Sequence, residues 1–393
     1  MNATLATELS AELAALDAAG TRKRLRPLGS PQGPLVRMAG HGDVLVLSSN
    51  DYLGLAAHPE VVEAGIEGLR RYGAGTASVR FICGLFDCHL ELEQALAGWV
   101  GTEAALTFTS AWAANEAAIG ALCAGRETWV LSDELNHASI VDAIRRARPA
   151  GKRVYAHADM AALEAALREV PAGVRRVVVS DGVFSMEGDL VPLPRLVELC
   201  RAHDAVLVLD DSHGTGVLGE RGRGTPEQFG LLGEVDVIVS TLGKALGGAA
   251  GGFVAGSREL CAVLEQRARP QLFSNALPPT VACSALAALR VLEREPQRVA
   301  RLRTNAAALR DGLAARGLRP LPGDSGIVPV IVGETATAVA VSERLLARGL
   351  FVTGFGHPVV PEGTARVRLQ ASAALSAAQV QQAIEAVTSE VQR

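Results

Sequence analysis

Residues 205–219 read "AVLVLDDSHGTGVLG". An unbroken apolar run, Ala205–Leu209, ends abruptly in Asp210, Asp211, Ser212 and His213. Continuous rather than alternating hydrophobicity marks a strand covered on both faces, the kind found in parallel sheets. The same pattern recurs with amphipathic stretches between the runs. "AALTF" (104–108) precedes "AWAANEAAIGALC" (111–123), and "TWVLS" (128–132) precedes "ASIVDAIRRA" (138–147). "VRRVVVSD" (174–181) precedes "LPRLVELCRAH" (193–203), and "VDVIVST" (235–241) follows. The alternation predicts an α/β fold with a mostly parallel central sheet flanked by helices.

From about Pro278 the character changes. Residues 278–317, "PPTVACSALAALRVLEREPQRVARLRTNAAALRDGLAARG", read as one long helical stretch. "IVPVIV" (327–332), "TAVAVSERLLARG" (337–349), "ARVRLQ" (365–370) and "SAAQVQQAIEAV" (376–387) then describe a smaller α+β domain. The expected organisation is an N-terminal helix and arm over 1–50, a large α/β domain over 51–280 and a small C-terminal domain over 281–393.

Composition narrows the partners. The chain has 393 residues, 49% hydrophobic and 20% charged, with a net charge of −4. Aromatic residues make up 4%, too few for base-stacking platforms, and the acidic balance disfavours phosphate-backbone binding, so nucleic acid is not an expected partner. The one basic cluster, Arg22, Lys23, Arg24 and Arg26, reads first as a solvated helix end and second as an anion contact. "MNATLATELSAELAALDAAG" (1–20) lacks the basic start and apolar core of a signal peptide, and no stretch approaches a membrane span. The six cysteines form no C-x-x-C pair or regular framework. Reduced thiols and a cytoplasmic location are the corresponding expectations.

In an open α/β sheet, ligands bind beyond the carboxyl ends of the strands, so the polar residues there carry the functional information. Gly214, Gly216 and Gly219 form a formal G-x-G-x-x-G, which raises an NAD-dependent oxidoreductase. The context opposes it: "ERGRGTPEQFG" (220–230) has no helical periodicity, whereas a dinucleotide site needs a helix opening at the glycines. Asp210, Asp211, His213 and His137 could ligate a metal, but none shows the i, i+4 spacing of a hydrolytic zinc site. Lys244 is no Walker lysine, because Ile238 stands where the opening glycine belongs and Ala245 replaces Ser or Thr.

What remains is an acid at one strand end and a lysine at the next. Lysine is usually exposed, and an exposed loop residue is the plain reading of Lys244. Against it stand the apolar strand before and "GKALGGAAGG" (243–252) after, whose glycines clear room near the backbone. Desolvation there would lower the amine's pKa and favour a Schiff-base nucleophile. A buried Asp210 needs a cation, and a protonated pyridine nitrogen is one; pyridoxal phosphate uses such a Lys plus Asp pairing.

The chain resembles the α-oxoamine synthases, pyridoxal-phosphate enzymes of fold type I that join an amino acid to an acyl-CoA. The resemblance runs from "LSSNDYLGLAAHP" (47–59) through "SVRFICG", "LNHASIVD", "DGVFSMEGD", "DDSHGTG", "TLGKALGGAAGG", "RPQLFSN" and "GTARVRLQASA". Within the family, "SVRFICG", "TLGKALGGA", "VTGF" and "PVVP" are most similar to the glycine C-acetyltransferase branch, whereas "GTRKRLRPL" is similar to the 8-amino-7-oxononanoate synthases. Leu85, Gly356, His357 and Trp112 depart from the acetyltransferase pattern.

The resemblance implies a cofactor, pyridoxal 5′-phosphate, and a role for each matching residue. Lys244 would hold the cofactor aldehyde and later move the α-proton, and Asp210 would keep the pyridine nitrogen protonated. His213 and Ser185 would bond the ring oxygen. His137 would lie over the ring face and stabilise a developing oxyanion. The phosphate would take the amides of Ala111 and Trp112 at a helix start capped by Ser110, an arrangement that suits an anion. Thr241 would add a hydroxyl. Ser274 and Asn275 would reach the other subunit's phosphate, making a homodimer part of the site. Arg368 would clamp the substrate carboxylate with help from Asn50. Taken singly, several have plainer readings: His137 as a helix N-terminal residue, Ser185 as a turn hydroxyl, Arg368 and Arg366 as the solvent face of a strand.

Overall fold

The computed structural model describes residues 2–393. By its contacts the chain divides into two units, one of Met1–Ser49, Met186–Gly188 and Arg303–Arg393, the other of Asn50–Ser185 and Asp189–Leu302. The N-terminal helix, Ala3–Ala18, and strands β1 (Leu35–Met38) and β2 (Gly42–Val46) belong to the first unit. Asn2 caps that helix through its side-chain oxygen, and its leucines Leu5, Leu9, Leu13 and Leu16 are all exposed.

The second unit is built on seven strands: β3 (Ala104–Phe108), β4 (Thr128–Asp133), β5 (Gly151–Tyr155), β6 (Arg175–Asp181), β7 (Ala205–Asp210), β8 (Val237–Thr241) and β9 (Gly252–Gly256). They lie in the order β3-β9-β8-β7-β6-β4-β5. All neighbours are parallel except β9, which runs antiparallel to both β3 and β8. The carboxyl ends of the other six strands therefore share one rim with the amino end of β9. Val177, Val179, Val208, Val237, Val239 and Val254 on the sheet pack with Ala114, Ala117, Ala118 and Ile119 of the helix Ala111–Cys123 in one core. Alanine on that face favours the helix and permits close approach to the sheet.

Two strands carry no apolar run that would announce them. In β5, "GKRVY", three residues are exposed, because it is the sheet's edge, and Lys152 and Arg153 are the charges that discourage edge pairing. In β9, "GFVAG", every residue is buried, but glycines bracket a very short core.

The long helical stretch after Pro278 is broken in two. Helix Pro279–Arg294 ends before Pro296, and Gln297–Ala314 begins beyond it. Proline has no amide hydrogen to continue the ladder and clashes with the preceding turn. The division between units falls inside the second of these helices. The first packs on helix Pro59–Tyr72 through its glycines: a Cβ at Gly65 would meet Ser284 Oγ at 2.5 Å, and one at Gly68 would meet Cys283 Sγ at 2.9 Å. Ser284 and Thr280 donate to the carbonyls of Val61 and Gly65 across this contact.

The remaining strands are β10 (Ile327–Gly333), β11 (Leu350–Phe351), β12 (Thr353–Phe355) and β13 (Ala365–Gln370), all in the first unit. They complete two three-stranded sheets, β1-β2-β11 and the antiparallel β10-β13-β12. Val36, Met38, Val44, Val46 and Leu346 form a separate small core beside the first sheet. No described helix is long and apolar enough to cross a membrane, and all six cysteines are free thiols.

Candidate active site

Asp210 ends β7 and Lys244 follows β8, so adjacent parallel strands deliver both to the same rim. Asp210 is 4% exposed, and among the described residues no arginine or lysine forms a salt bridge with it. Its Oδ2 accepts from Asn115 Nδ2 at 2.6 Å and its Oδ1 from the Ser212 amide at 3.0 Å. Asn115 is fully buried in helix Ala111–Cys123 and also donates to Ser139 Oγ. Neutral amides thus orient the carboxylate without cancelling its charge.

Lys244 is half-buried, with Nζ 2.8 Å from His213 Nε2. The other ring nitrogen of His213 lies 2.9 Å from the hydroxyl of Tyr52, which is itself fully buried. Tyr52, His213 and Lys244 therefore form a single polar chain at the rim. The turn before it, Asn50 and Asp51, is held by Asp51 accepting from the Leu55 amide at 2.8 Å and the Ala56 amide at 3.2 Å.

His137 leads from β4 into helix Ala138–Ala147 and caps it, accepting from the Ser139 amide at 3.2 Å. The same ring stands edge-on to Trp112 with centroids 6.1 Å apart. Its pKa is lowered by burial and by the Lys244 charge, against the pull of Asp210, which favours a neutral imidazole. The His137 amide donates to Asp181 Oδ2 at 2.9 Å. Asp181 sits opposite Asp210 on the neighbouring strand, and complete burial, reinforced by that second carboxylate, pushes its pKa well up.

Ser110 caps the helix that opens at Ala111 and Trp112, its Oγ accepting from Ala113 N at 3.1 Å. Gly252, at the amino end of antiparallel β9, lies against this turn: a Cβ there would meet Ala111 N at 2.4 Å. Thr241 closes β8, but its hydroxyl is engaged locally, donating to Gly251 O and accepting from Gly243 N. Ser185 is half-buried in the hairpin that Val183 and Leu190 pair, and Ser274 and Asn275 are exposed before helix Pro279–Arg294.

Arg368 lies on β13 in the other unit. It is 8% exposed and Arg366 4%, so neither forms a solvent face. The guanidinium of Arg368 covers the Phe355 ring at 4.6 Å and donates to Gln370 Oε1, while Arg366 pairs with Glu187 at 2.9 Å.

In the glycine pattern 214–219, Gly214 makes room for a neighbouring acid, whereas Gly216 and Gly219 lie against Ala245 and Glu227. Asp211 is completely buried and accepts from the Thr215 hydroxyl and from both the amide and the hydroxyl of Thr225. A Cβ at Gly214 or Gly224 would come within 2.0 Å of its carboxylate oxygens. These glycines make room for a carboxylate and not for a pyrophosphate. Asn115, Ser139, Tyr52 and Asp181 carry no role in the motifs, because each has a site partner distant in sequence: Asp210 for Asn115, Asn115 for Ser139, His213 for Tyr52 and the His137 amide for Asp181.

The family described as aminotransferase class I and II matches residues 42–387. A mitochondrial 2-amino-3-ketobutyrate coenzyme A ligase from Bos taurus is 43% identical over 379 residues, covering 96% of this chain and 90% of that protein. An 8-amino-7-oxononanoate synthase from Anaeromyxobacter dehalogenans is 46% identical over 372 residues, covering 95% and 92%. A solved serine palmitoyltransferase from S. paucimobilis, with a bound PLP-myriocin aldimine, superposes with a TM-score of 0.92 at 32% identity, covering 98% and 97%.

This chain belongs to the class I and II aminotransferase family. Within it the chain is an α-oxoamine synthase, a pyridoxal-phosphate-dependent acyltransferase. The residues present fit that cofactor: a buried carboxylate held, among the described residues, by amides, an amine at the next strand end, and a capped helix start with clearance at Gly252.

Proposed function

We propose that this enzyme condenses glycine with acetyl-CoA, giving 2-amino-3-oxobutanoate and CoA. The observation that supports the cofactor chemistry is Asp210 and the Lys244–His213 pair at adjacent strand ends, and the choice of glycine and acetyl-CoA rests on the motifs most similar to the acetyltransferase branch. When bound, pyridoxal phosphate withdraws electrons from the amino acid's α-carbon, so its C–H bond becomes acidic. Asp210 would keep a proton on the ring nitrogen, with Asn115 fixing the carboxylate's direction. Lys244 Nζ would hold the cofactor aldehyde and move the proton of the α-carbon; His213 Nε2, 2.8 Å from Nζ here, would turn with Ser185 to the ring oxygen once the cofactor is present. His137 would face the cofactor ring and donate to the thioester carbonyl oxygen as it gains charge on C–C bond formation; return of that charge would break the C–S bond and release CoA. The amides of Ala111 and Trp112, with Thr241, hold the phosphate. Arg368, with Asn50, binds the substrate carboxylate.

The neighbouring reading is an 8-amino-7-oxononanoate synthase, with another amino acid, a longer thioester and loss of the carboxylate. Relatives of that name at 42–46% identity favour it as strongly as those named 2-amino-3-ketobutyrate coenzyme A ligase. CoA release across glycine, alanine and serine with acetyl-, succinyl- and pimeloyl-thioesters separates the two. Glycine with acetyl-CoA should be fastest, and a place among the slowest pairs would refute the assignment. Borohydride should abolish the visible band and leave the cofactor attached to Lys244; a colourless protein that binds NAD would overturn the site itself.

A homodimer in the cytoplasm completes the proposal, with Ser274 and Asn275 reaching the partner's phosphate. Exposed Phe81, Ile82 and Phe273, at 67–71% each, support a surface that a second copy covers. Sedimentation of the full chain as a monomer at micromolar concentration would remove this part.

A further inference from the structure

His157 matches none of the motifs, yet it occupies the same rim, two residues beyond the carboxyl end of β5. Its Nδ1 is 3.2 Å from Asp133 Oδ1 and its Nε2 2.9 Å from Asp189 Oδ2. The ring also stands edge-on to the fully buried Phe184, with centroids 4.3 Å apart.

The two carboxylates belong to different turns. Asp133 ends β4 and accepts from the amides of Leu135 at 2.9 Å and Ala158 at 2.8 Å, so it fastens the turn that leads to His137. Glu134 in that turn accepts from the His157 amide at 2.9 Å. Asp189 closes the hairpin that carries Ser185, its carbonyl accepting from Phe184 N at 3.1 Å. His157 therefore bonds both turns by its ring, and the first of them also by its backbone amide.

Donating to two carboxylates requires both ring N–H groups, hence an imidazolium. Burial alone would push the His157 pKa down, but the hydrogen bonds to Asp133 and Asp189 outweigh it and lift the group to about 10. The neighbouring Tyr155 hydroxyl, pushed well up by burial and by Asp133, adds no charge. An incidental surface ion pair would engage one partner and stay solvated. Here Asp133 is fully buried, and the ring spans two chain segments.

We propose that His157 is a positioning residue: it ties the His137 turn to the Ser185 hairpin and thereby sets the spacing between the group over the cofactor's face and the group at its ring oxygen. The proposal rests on the roles assigned above to His137 and Ser185.

The test uses the full-length protein and His157→Gln, which keeps the size but has both donors on one nitrogen, so that its oxygen, an acceptor, faces the second carboxylate. In cofactor-free protein, hydrogen exchange should quicken together in 133–137 and 183–190 while β3 stays unchanged. The Kd for pyridoxal phosphate should rise about tenfold, the scale of one lost charged hydrogen bond. The visible band of the loaded protein should shift. Asp189→Asn leaves Asp133 anchored and should loosen 183–190 alone while still raising the Kd; it decides the matter if His157→Gln does not fold. Exchange unchanged in both segments, or a Kd within twofold of the parent, would overturn the proposal. A parent protein that binds no pyridoxal phosphate would overturn the reading of the site instead, and the exchange result would still decide whether His157 joins the two turns.

Discussion

Asp210 and Asp211 are consecutive, both buried, and chemically opposite. Asp210 faces the rim, held by Asn115 and the Ser212 amide, with no salt bridge to a cation among the described residues. Asp211 turns inward, where Thr215 and Thr225 surround it and Gly214 and Gly224 close over it. At a strand end successive side chains point to opposite sides. One acid is thus left for chemistry and the next becomes the peg on which the following loop hangs. A buried carboxylate is a sign of function only when its partners leave its charge uncancelled and its direction open.

Exchanging the two roles gives the largest effects. Asp210→Asn should lower kcat by about 10³-fold or more, on the scale of losing a group that holds a reacting proton, while the apoprotein melts within a few degrees of the parent. Asp211→Ala should do the reverse, destabilising the fold by about 2–5 kcal/mol because three buried donors lose their acceptor. Denaturant unfolding of both variants beside steady-state assays checks the pair. An Asp211→Ala protein of full stability, or an active Asp210→Asn, breaks the comparison.

The pH dependence of stability sharpens it. Burial, working against the hydrogen bonds from Thr225 and Thr215, raises the Asp211 pKa from 3.8 to about 7. Between those values the unfolded chain has released this proton and the folded chain still holds it. Stability from this group is complete below about pH 4 and falls toward pH 7 by up to about 1.4 kcal/mol per pH unit. Asp211→Asn, which cannot titrate, should flatten that slope in urea melts run from pH 4 to 7; an unaltered slope would place the titration elsewhere.

The smallest effect belongs to Gly252. Gly252→Ala places a Cβ 2.4 Å from Ala111 N. The helix start should shift and stability should drop by about 1–3 kcal/mol, with a weaker hold on pyridoxal phosphate measured as a higher Kd. A variant that binds the cofactor as tightly as the parent would show that the clearance at Gly252 does not matter.

Legibility followed the reach of each interaction. The runs 174–181, 205–210 and 235–241 announce their strands because a strand buried on both faces tolerates no polar alternation. The edge strand β5 and the glycine-bracketed β9 carry no such mark, since one is solvated and the other is defined by its neighbours. Pro296 breaks a helical stretch that hydrophobic spacing alone would continue. Asp210 and Lys244 stand out because local sequence makes their charges anomalous. Asn115 lies 95 residues from Asp210 and Tyr52 161 from His213, so no local pattern links them.

By itself, the sequence of this protein determined the class of sheet and the strand ends where an acid and an amine stand out, the pair proposed to hold the cofactor, because burial and charge are properties of short segments. Only the tertiary structure decided which acid faces outward, that Asn115 aims it, that Tyr52 and His213 line up with Lys244, and that His157 joins two turns. Those are choices of direction, and direction is set where separate strands and helices meet.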